Sequence, residues 1–127
     1  MKLPDGPVIM GSEPIPGWEP EEIREWYDQH HDETGLAQAF AATSNKFWWV
    51  EDNEYDYEEG TPEHQEACRI TDSWGELMDK LKEEIFVILR SEGVVIPERG
   101  QNAVLSPFME RNGYYDGNGW WIPIKDE

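Results

Sequence analysis

The sequence predicts an α+β fold in which a small, mostly antiparallel sheet packs against a long amphipathic helix, with shorter N-terminal helices beside it. Three observations lead to this prediction: an apolar residue at about every third or fourth position along residues 62–91, two aromatic runs typical of strands, and a turn sequence near the end of the chain. A chain of 127 residues with seven Trp can bury one core, so we expect residues 1–127 to form a single domain. Residues 1–17 contain four Pro and are predicted to be an extended arm, with residues 8–10 as a short edge strand.

Two short helices are predicted after the arm. Pro20 suits the first position of a helix, and Trp18 can pack onto Ile23 across the helix start. This first helix is expected to continue to about His31. A second short helix is predicted by the helical spacing of Leu36, Ala39, Phe40 and Thr43.

Two aromatic segments are predicted to be strands. Residues 46–50 read Lys-Phe-Trp-Trp-Val, an aromatic and β-branched run that favours a strand over a helix. After a short helical turn predicted at residues 107–111, residues 114–115 and 120–124 flank the sequence Asp-Gly-Asn-Gly, which predicts a β-hairpin. The last strand is expected to pair beside residues 46–50, with Pro123 restricting it to an edge of the sheet.

The main core helix is predicted over residues 62–91. Thr61 suits the capping position before it, and the Pro that follows suits its first turn. A break near residue 72 that would give two helices is the alternative, since Gly75 is a poor helix former. Gly93 is expected to end the helix.

The net charge of −18 is the most informative property of the composition, and it comes from 28 Asp and Glu against ten Lys and Arg. Because like charges repel, direct binding to nucleic acid or to an anionic membrane surface is not expected. The partners that suit such a protein are basic surfaces, cations and polyamines. The alternative is that the acids only keep the protein soluble.

The acids are concentrated in two segments. Between Phe47 and Cys68 there are eight Asp and Glu and no Lys or Arg, and a second cluster surrounds Arg24 in the first predicted helix. In an extended segment, alternate side chains project to one face at intervals of about 6.6 Å, so their carboxylates imitate a row of phosphates. The predicted row consists of Asp52, Glu54, Asp56 and Glu58. The residues predicted to contact a partner are Glu51, Asp52, Glu54, Tyr55, Asp56, Tyr57, Glu58, Glu59, Glu22, Glu25 and Asp28.

These features favour binding without catalysis. The composition is similar in type to that of anti-restriction and anti-CRISPR proteins that inhibit nucleic-acid enzymes by mimicking DNA, although no motif is shared. The chain contains no Gly-rich phosphate loop, nucleophile elbow or HExxH motif. We expect it to block a basic surface of a nucleic-acid-binding enzyme, without a cofactor. The alternatives are an antidote to a basic toxin, a small metal-binding regulator and a carboxylate acid/base enzyme.

Three groups of residues have part of the character of a metal site. The first matches ligand positions of a calcium loop but has Tyr57 where the loop needs Gly. It consists of Asp52, Glu54, Asp56, Glu58 and Glu63. The second is the run His30, His31, Asp32 and Glu33, and the third is His64 with Cys68, four residues apart on a helix. None supplies the three or four convergent ligands of a zinc site from sequence alone, so no metal is predicted.

Cys68 is the single cysteine, so no internal disulfide is expected. The N-terminus lacks the apolar core of a signal peptide, and no apolar run approaches the roughly 18 residues of a membrane span. These features together predict a cytoplasmic location.

Overall fold

The computed structural model describes residues 7, 18–54, 56–117 and 120–124. These residues form a mixed, mostly helical α+β structure. Its elements are α1 Pro20–Gln29, α2 Glu33–Glu54, α3 Pro62–Ser91, α4 Asn102–Arg111, β1 Tyr114–Gly117 and β2 Trp120–Pro123. One buried core draws side chains from all four helices and both strands. The α+β class and the long helix are confirmed, whereas the sheet is smaller, and α2 and α4 are longer, than predicted.

A short turn joins the first two helices. The carboxylate Oδ1 of Asp32 accepts a hydrogen bond of 2.6 Å from the backbone N–H of Gly35 and so caps the first turn of α2. A Cβ at residue 35 would lie 1.9 Å from the carbonyl oxygen of His30, so only Gly allows the chain to reverse here. α1 therefore ends at Gln29, shortly before the predicted boundary, and packs against α2.

Residues 46–50, which were predicted to be a strand, lie inside α2, and the predicted second helix is much longer than expected. From residue 35 to residue 45 every residue except Gln38 is buried, because α1, α3 and β2 all pack against this helix. The strand preference of aromatic and β-branched residues is at most about 1 kcal/mol per residue. A helix that has already begun gains one hydrogen bond for each added residue. Continuation and packing therefore override the local preference.

The long helix α3 is continuous, so the alternative of a break in its middle is wrong. Its start is confirmed: Oγ1 of Thr61 accepts a hydrogen bond of 3.2 Å from the backbone N–H of His64. Gly75 lies in the helix interior, where a Cβ would approach the ring of Phe47 on α2 to 2.9 Å. The residue that favoured a break thus allows the two long helices to pack closely.

Gly93 ends α3 as predicted. Its φ is 87°, and the N–H of Val94 donates to the carbonyl oxygen of Leu89 at 2.9 Å. α4 begins at Asn102, five residues earlier than the predicted helical turn, and contains Pro107. Pro107 is exposed, while the opposite side of α4 contributes to the core Leu105, Phe108 and Met109.

The C-terminal hairpin is confirmed, with Gly117 paired to Trp120; the two connecting residues lie outside the described part of the chain. In place of the predicted neighbouring strand, Asn45 of α2 binds its edge. Nδ2 of Asn45 donates to the carbonyl oxygen of Trp121 at 2.9 Å, and Oδ1 accepts from the N–H of Trp121 at 2.8 Å. The hairpin packs mainly on α2 and α4, so the sheet rests on α2 rather than on the longer α3.

The predicted N-terminal arm, including its edge strand at residues 8–10, lies outside the described residues except for Pro7. Pro7 is buried, and its carbonyl oxygen accepts a hydrogen bond of 3.4 Å from Nε2 of Gln38. At the start of α1, Ile23 lies in the core and Trp18 is partly buried against the core. The predicted contact between the two residues stays a prediction. No helix in the described part of the chain is both long enough and apolar enough to cross a membrane.

Candidate functional site

Most acids of the first acidic segment lie at one end of the molecule. α2 and α3 pack extensively and are joined by residues 55–61, so the end of α2 lies beside the start of α3. We call this region the acidic end and define it by Glu51, Asp52, Asp56, Glu58, Glu59 and Glu63. All of these side chains except that of Glu51 are exposed.

A hydrogen-bonded turn holds Glu58 and Glu59 in place. The N–H and the Oγ1 hydroxyl of Thr61 both donate to the carbonyl oxygen of Glu58, at 3.2 and 2.7 Å. Gly60 has a φ of 88°, a conformation that favours glycine. Because Thr61 also caps α3, this turn is fixed to the start of the long helix.

The predicted extended row of carboxylates is wrong. Asp52 and Glu54 belong to the last turn of α2, and only Asp56 and Glu58 lie in the connection that follows. Alternate side chains of a helix do not share a face, so the four residues cannot have the spacing of a strand. The acids form a compact group at a helix end instead of a straight line.

The other predicted partner-binding residues of this segment differ in their accessibility. Tyr57 is 45% exposed, as a contact residue would be. Glu51 is half-buried, and its Oε2 is enclosed without a hydrogen-bond partner among the described residues, so this carboxylate points away from the open surface. Tyr55 and the side chain of Glu54 lie outside the described part of the chain.

No acid of the acidic end forms an ion pair within the described residues, whereas several cations elsewhere do. Arg69, Lys82, Arg90 and Arg111 each bind a carboxylate outside this region. Arg69 is close in sequence, but its Nε and Nη2 both donate to the carboxylate of Glu66, which lowers the pKa of Glu66. The negative charge of the acidic end therefore has no described cation against it.

A groove with apolar walls opens between the end of α2 and the start of α3. Its volume is about 540 Å³, within the range of about 300–1,000 Å³ that is common for ligand pockets. It is lined by the apolar or aromatic residues Trp49, Val50, Tyr57, Pro62, Ala67 and Ile70, and by the acids Glu63 and Glu66. We call it the α2–α3 groove. It combines an apolar interior with two carboxylates.

Lys46 lies one turn before the groove, where it is half-buried and its ammonium group lies over two Trp rings. Its Nζ is 5.0 Å from the centre of the Trp49 ring and 5.9 Å from that of Trp74. Burial lowers the pKa of Lys46, and the negative charge of Glu19 opposes this effect. The influence of Glu19 also shows that the start of α1 lies near this part of α2.

The predicted second acidic patch on α1 is exposed, but its members differ in role. Oε1 of Glu22 accepts a hydrogen bond of 3.1 Å from the backbone N–H of Glu19, which supports the helix start. Glu21, Glu25 and Asp28 are exposed and follow one another at spacings of four and three residues. This spacing places them on one strip of the helix. The acidic strip of α1 therefore consists of Glu21, Glu25 and Asp28.

At the opposite end of α2, the acids are paired with a cation. Arg111 donates through Nε to Glu33 at 3.0 Å and through Nη1 to Glu92 at 2.9 Å, and Nδ2 of Asn112 donates to Glu33 at 2.9 Å. The hydrogen bonds from Arg111 lower the pKa of Glu33. We call these four residues the paired end, where the acids have a structural role.

The chain has two pairs of adjacent Trp residues, Trp48 with Trp49 and Trp120 with Trp121, and they expose their rings to different extents. Trp48 is 47% exposed and Trp49 is half-buried, because adjacent residues of a helix point about 100° apart. Trp121 is buried and Trp120 is half-buried in the hairpin. Only the first pair therefore has a ring that is largely open to a partner.

The three groups with part of the character of a metal site do not converge among the described residues. Sγ of Cys68 lies 3.7 Å from Nε2 of His64, which confirms their shared helix face, while Nδ1 of His30 is 2.9 Å from the carbonyl oxygen of Trp26. In the part of the chain that the structure describes, no three His, Cys, Asp or Glu side chains come together as metal ligands would. The calcium-loop register is wrong, since its first position, Asp52, is helical.

Sequence reasoning missed the α2–α3 groove. Because residues 46–50 were predicted to be a strand, Trp49 and Val50 were not placed on the same helix as the core residues of α2. A signal was present in the apolar residues on both sides of the acidic connection. If residues before and after that connection are both helical and adjacent, Trp49 is expected on the side that faces Ala67 and Ile70.

No protein-family model matches the chain, and no curated protein or solved structure is detectably similar to it. The candidate functional residues are those of the acidic end, the acidic strip of α1 and the α2–α3 groove.

Proposed function

We propose that this protein binds, without catalysis, to a basic surface of a nucleic-acid-binding enzyme and keeps nucleic acid away from it. The observation that carries the proposal is the uncompensated charge of the acidic end. Four of its exposed acids lie within eight residues and have no ion pair among the described residues: Asp56, Glu58, Glu59 and Glu63. Like charges held so close together oppose folding, and a surface that normally binds phosphates is the partner that neutralises them.

The acidic strip of α1 supports the same proposal. The start of α1 lies near Lys46, which is eight residues, or about 12 Å, before the end of α2. The strip and the acidic end are thus separate groups of negative charge, and a nucleic-acid-binding surface likewise contacts several phosphates in succession. Two such groups allow the protein to cover more of that surface than the acidic end could cover alone.

Binding of this kind has a characteristic dependence on salt. Opposite charges on the two partners accelerate their encounter, and mobile ions screen this attraction over about 10 Å at 0.1 M salt. We therefore expect fast association at low ionic strength and a steep loss of affinity as salt is added. An association driven by apolar contacts alone would not weaken in this way.

The test compares two variants that lose the same number of charges. The acidic-end variant carries Asp56→Asn, Glu58→Gln, Glu59→Gln and Glu63→Gln. The remote variant carries Asp72→Asn, Glu76→Gln, Glu98→Gln and Glu110→Gln, all exposed and without described ion pairs. Tagged wild type and both variants are incubated with nuclease-treated host lysate at about 0.05 and 0.5 M salt, and captured proteins are identified by mass spectrometry.

We expect wild type and the remote variant to capture a nucleic-acid-binding enzyme that high salt releases, and the acidic-end variant to bind it about 100-fold more weakly. The purified enzyme should then lose its labelled nucleic acid, measured by fluorescence anisotropy, when wild type is added. Equal capture by the two variants would contradict the assignment of the acidic end. A captured enzyme that keeps its nucleic acid would contradict the proposed inhibition.

A further inference from the structure

The α2–α3 groove has a property that charge mimicry does not require. Exposed carboxylates are enough to imitate phosphates, whereas this groove has walls from Trp49, Tyr57 and Ile70 and a volume of about 540 Å³. Such a volume accommodates more than one side chain. An apolar site of this kind beside exposed acids is typical of the centre of a protein interface with a polar rim.

From this arrangement, and resting on the proposed function, we infer that the groove binds a basic segment of the partner that carries apolar side chains. The apolar side chains occupy the groove, and a neighbouring Lys or Arg binds Glu63. The argument is charge complementarity: Glu63 lines the groove, and Glu58 and Glu59 lie in the adjoining turn with no described cation against them. The aliphatic stem of Lys or Arg also covers apolar walls while its charged head reaches a carboxylate.

Glu63 and Tyr57 are the residues best placed to bind the cation. The other acid of the groove, Glu66, already receives two hydrogen bonds from Arg69. Glu63 has no ion pair in the described part of the chain, and its side chain is exposed. Tyr57 lines the same groove and is 45% exposed, so its ring offers a face for a cation.

Other occupants fit these observations less well. A second copy of the chain would bring together two molecules that each carry a charge of −18. An anionic ligand would be repelled by the acids of the groove.

The test uses synthetic peptides with blocked ends as probes, and isothermal titration calorimetry measures their binding. The basic apolar peptide is Lys-Arg-Leu-Leu-Arg-Lys, the basic polar peptide is Lys-Arg-Ser-Ser-Arg-Lys, and the uncharged apolar peptide is Ser-Ser-Leu-Leu-Ser-Ser. Ala67→Phe fills the groove, and Ala103→Phe, at an exposed position of α4, is its matched control. Ile70→Gln, with exposed Val87→Gln as control, replaces this pair if Ala67→Phe does not fold.

We expect wild type to bind the basic apolar peptide at least about tenfold more tightly than either other peptide. Ala67→Phe should remove this preference, and Ala103→Phe should keep it. Glu63→Gln should weaken binding of the basic apolar peptide by about threefold to tenfold, whereas Glu110→Gln should not.

Four results would overturn the inference. They are equal binding of the basic polar peptide, equal binding of the uncharged apolar peptide, an unchanged preference in the groove variant, and no saturable binding of the basic apolar peptide up to about 1 mM. The proposed function is decided separately, because lysate capture by the acidic-end variant tests the charges, including that of Glu63, whereas the groove variants and the peptide comparison test the apolar walls.

Discussion

The two ends of α2 use acidic residues in opposite ways. At the paired end, Glu33 and Glu92 share Arg111, so their charges are neutralised within the fold. At the acidic end, a larger number of exposed acids has no described cation against them. Paired carboxylates contribute to stability, whereas concentrated like charges oppose it. The acids of the paired end are thus used within the fold, whereas those of the acidic end are the ones that the proposed function assigns to an external partner.

Breaking the hydrogen bonds between Asn45, near the middle of α2, and the hairpin is expected to cause the largest loss of stability. Asn45→Leu leaves the buried N–H and carbonyl of Trp121 without their partners, which should lower the free energy of unfolding by about 2–4 kcal/mol. Urea unfolding measures this value, with the exposed Asn102→Leu as control. A loss no larger than that of the control would mean that Asn45 does not anchor the hairpin.

The paired end should give the next largest effect. Arg111→Met removes the cation that Glu33 and Glu92 share and leaves the two carboxylates to repel each other. Because all three groups are partly open to solvent, we expect a loss of only about 1–2 kcal/mol in the free energy of unfolding. Arg99→Met removes an exposed Arg without a described ion pair and should have little effect. Equal losses in the two variants would contradict the role of the paired end.

The same contact predicts a dependence on pH. Arg111 lowers the pKa of Glu33 below its ordinary value of 4.5 in the folded protein. A carboxylate with a lowered pKa stabilises the fold above its unfolded pKa, and this contribution is lost as the pH falls through the folded pKa. The difference in unfolding free energy between wild type and Arg111→Met should therefore be constant near neutral pH and shrink below pH 4.5. A difference that grows in acid would contradict this account.

Elements with a clear local signal could be predicted from the sequence. The structure of these elements is determined mainly by residues close together in the chain. They are the helix with regular apolar spacing over residues 62–91, its cap at Thr61 and the hairpin at the Asp-Gly-Asn-Gly turn. The strand prediction for residues 46–50 was wrong because the deciding contacts are distant. Phe47 packs against Gly75, and the helix that contains it is nearly surrounded by other elements.

The acidic composition of the candidate site could be predicted from the sequence, whereas its geometry could not. The absence of cations between Phe47 and Cys68 directed attention to this segment. Its geometry depends on the turn closed by Thr61 and on the approach of α2 to α3, which create the α2–α3 groove. Likewise, Arg111 and Glu33 are separated by 78 residues, so no local pattern indicates that they meet.

The free energy of unfolding of the acidic-end variant, measured by urea at low ionic strength, tests the central comparison most directly. Loss of Glu63 from the first turn of α3 costs about 0.3–1 kcal/mol, and relief of repulsion among the remaining acids offsets it. The account predicts a value within about 0.5 kcal/mol of wild type, or higher. A loss of more than about 1 kcal/mol, without a similar loss in the remote variant, would show that these acids stabilise the fold and would contradict their assignment to a partner.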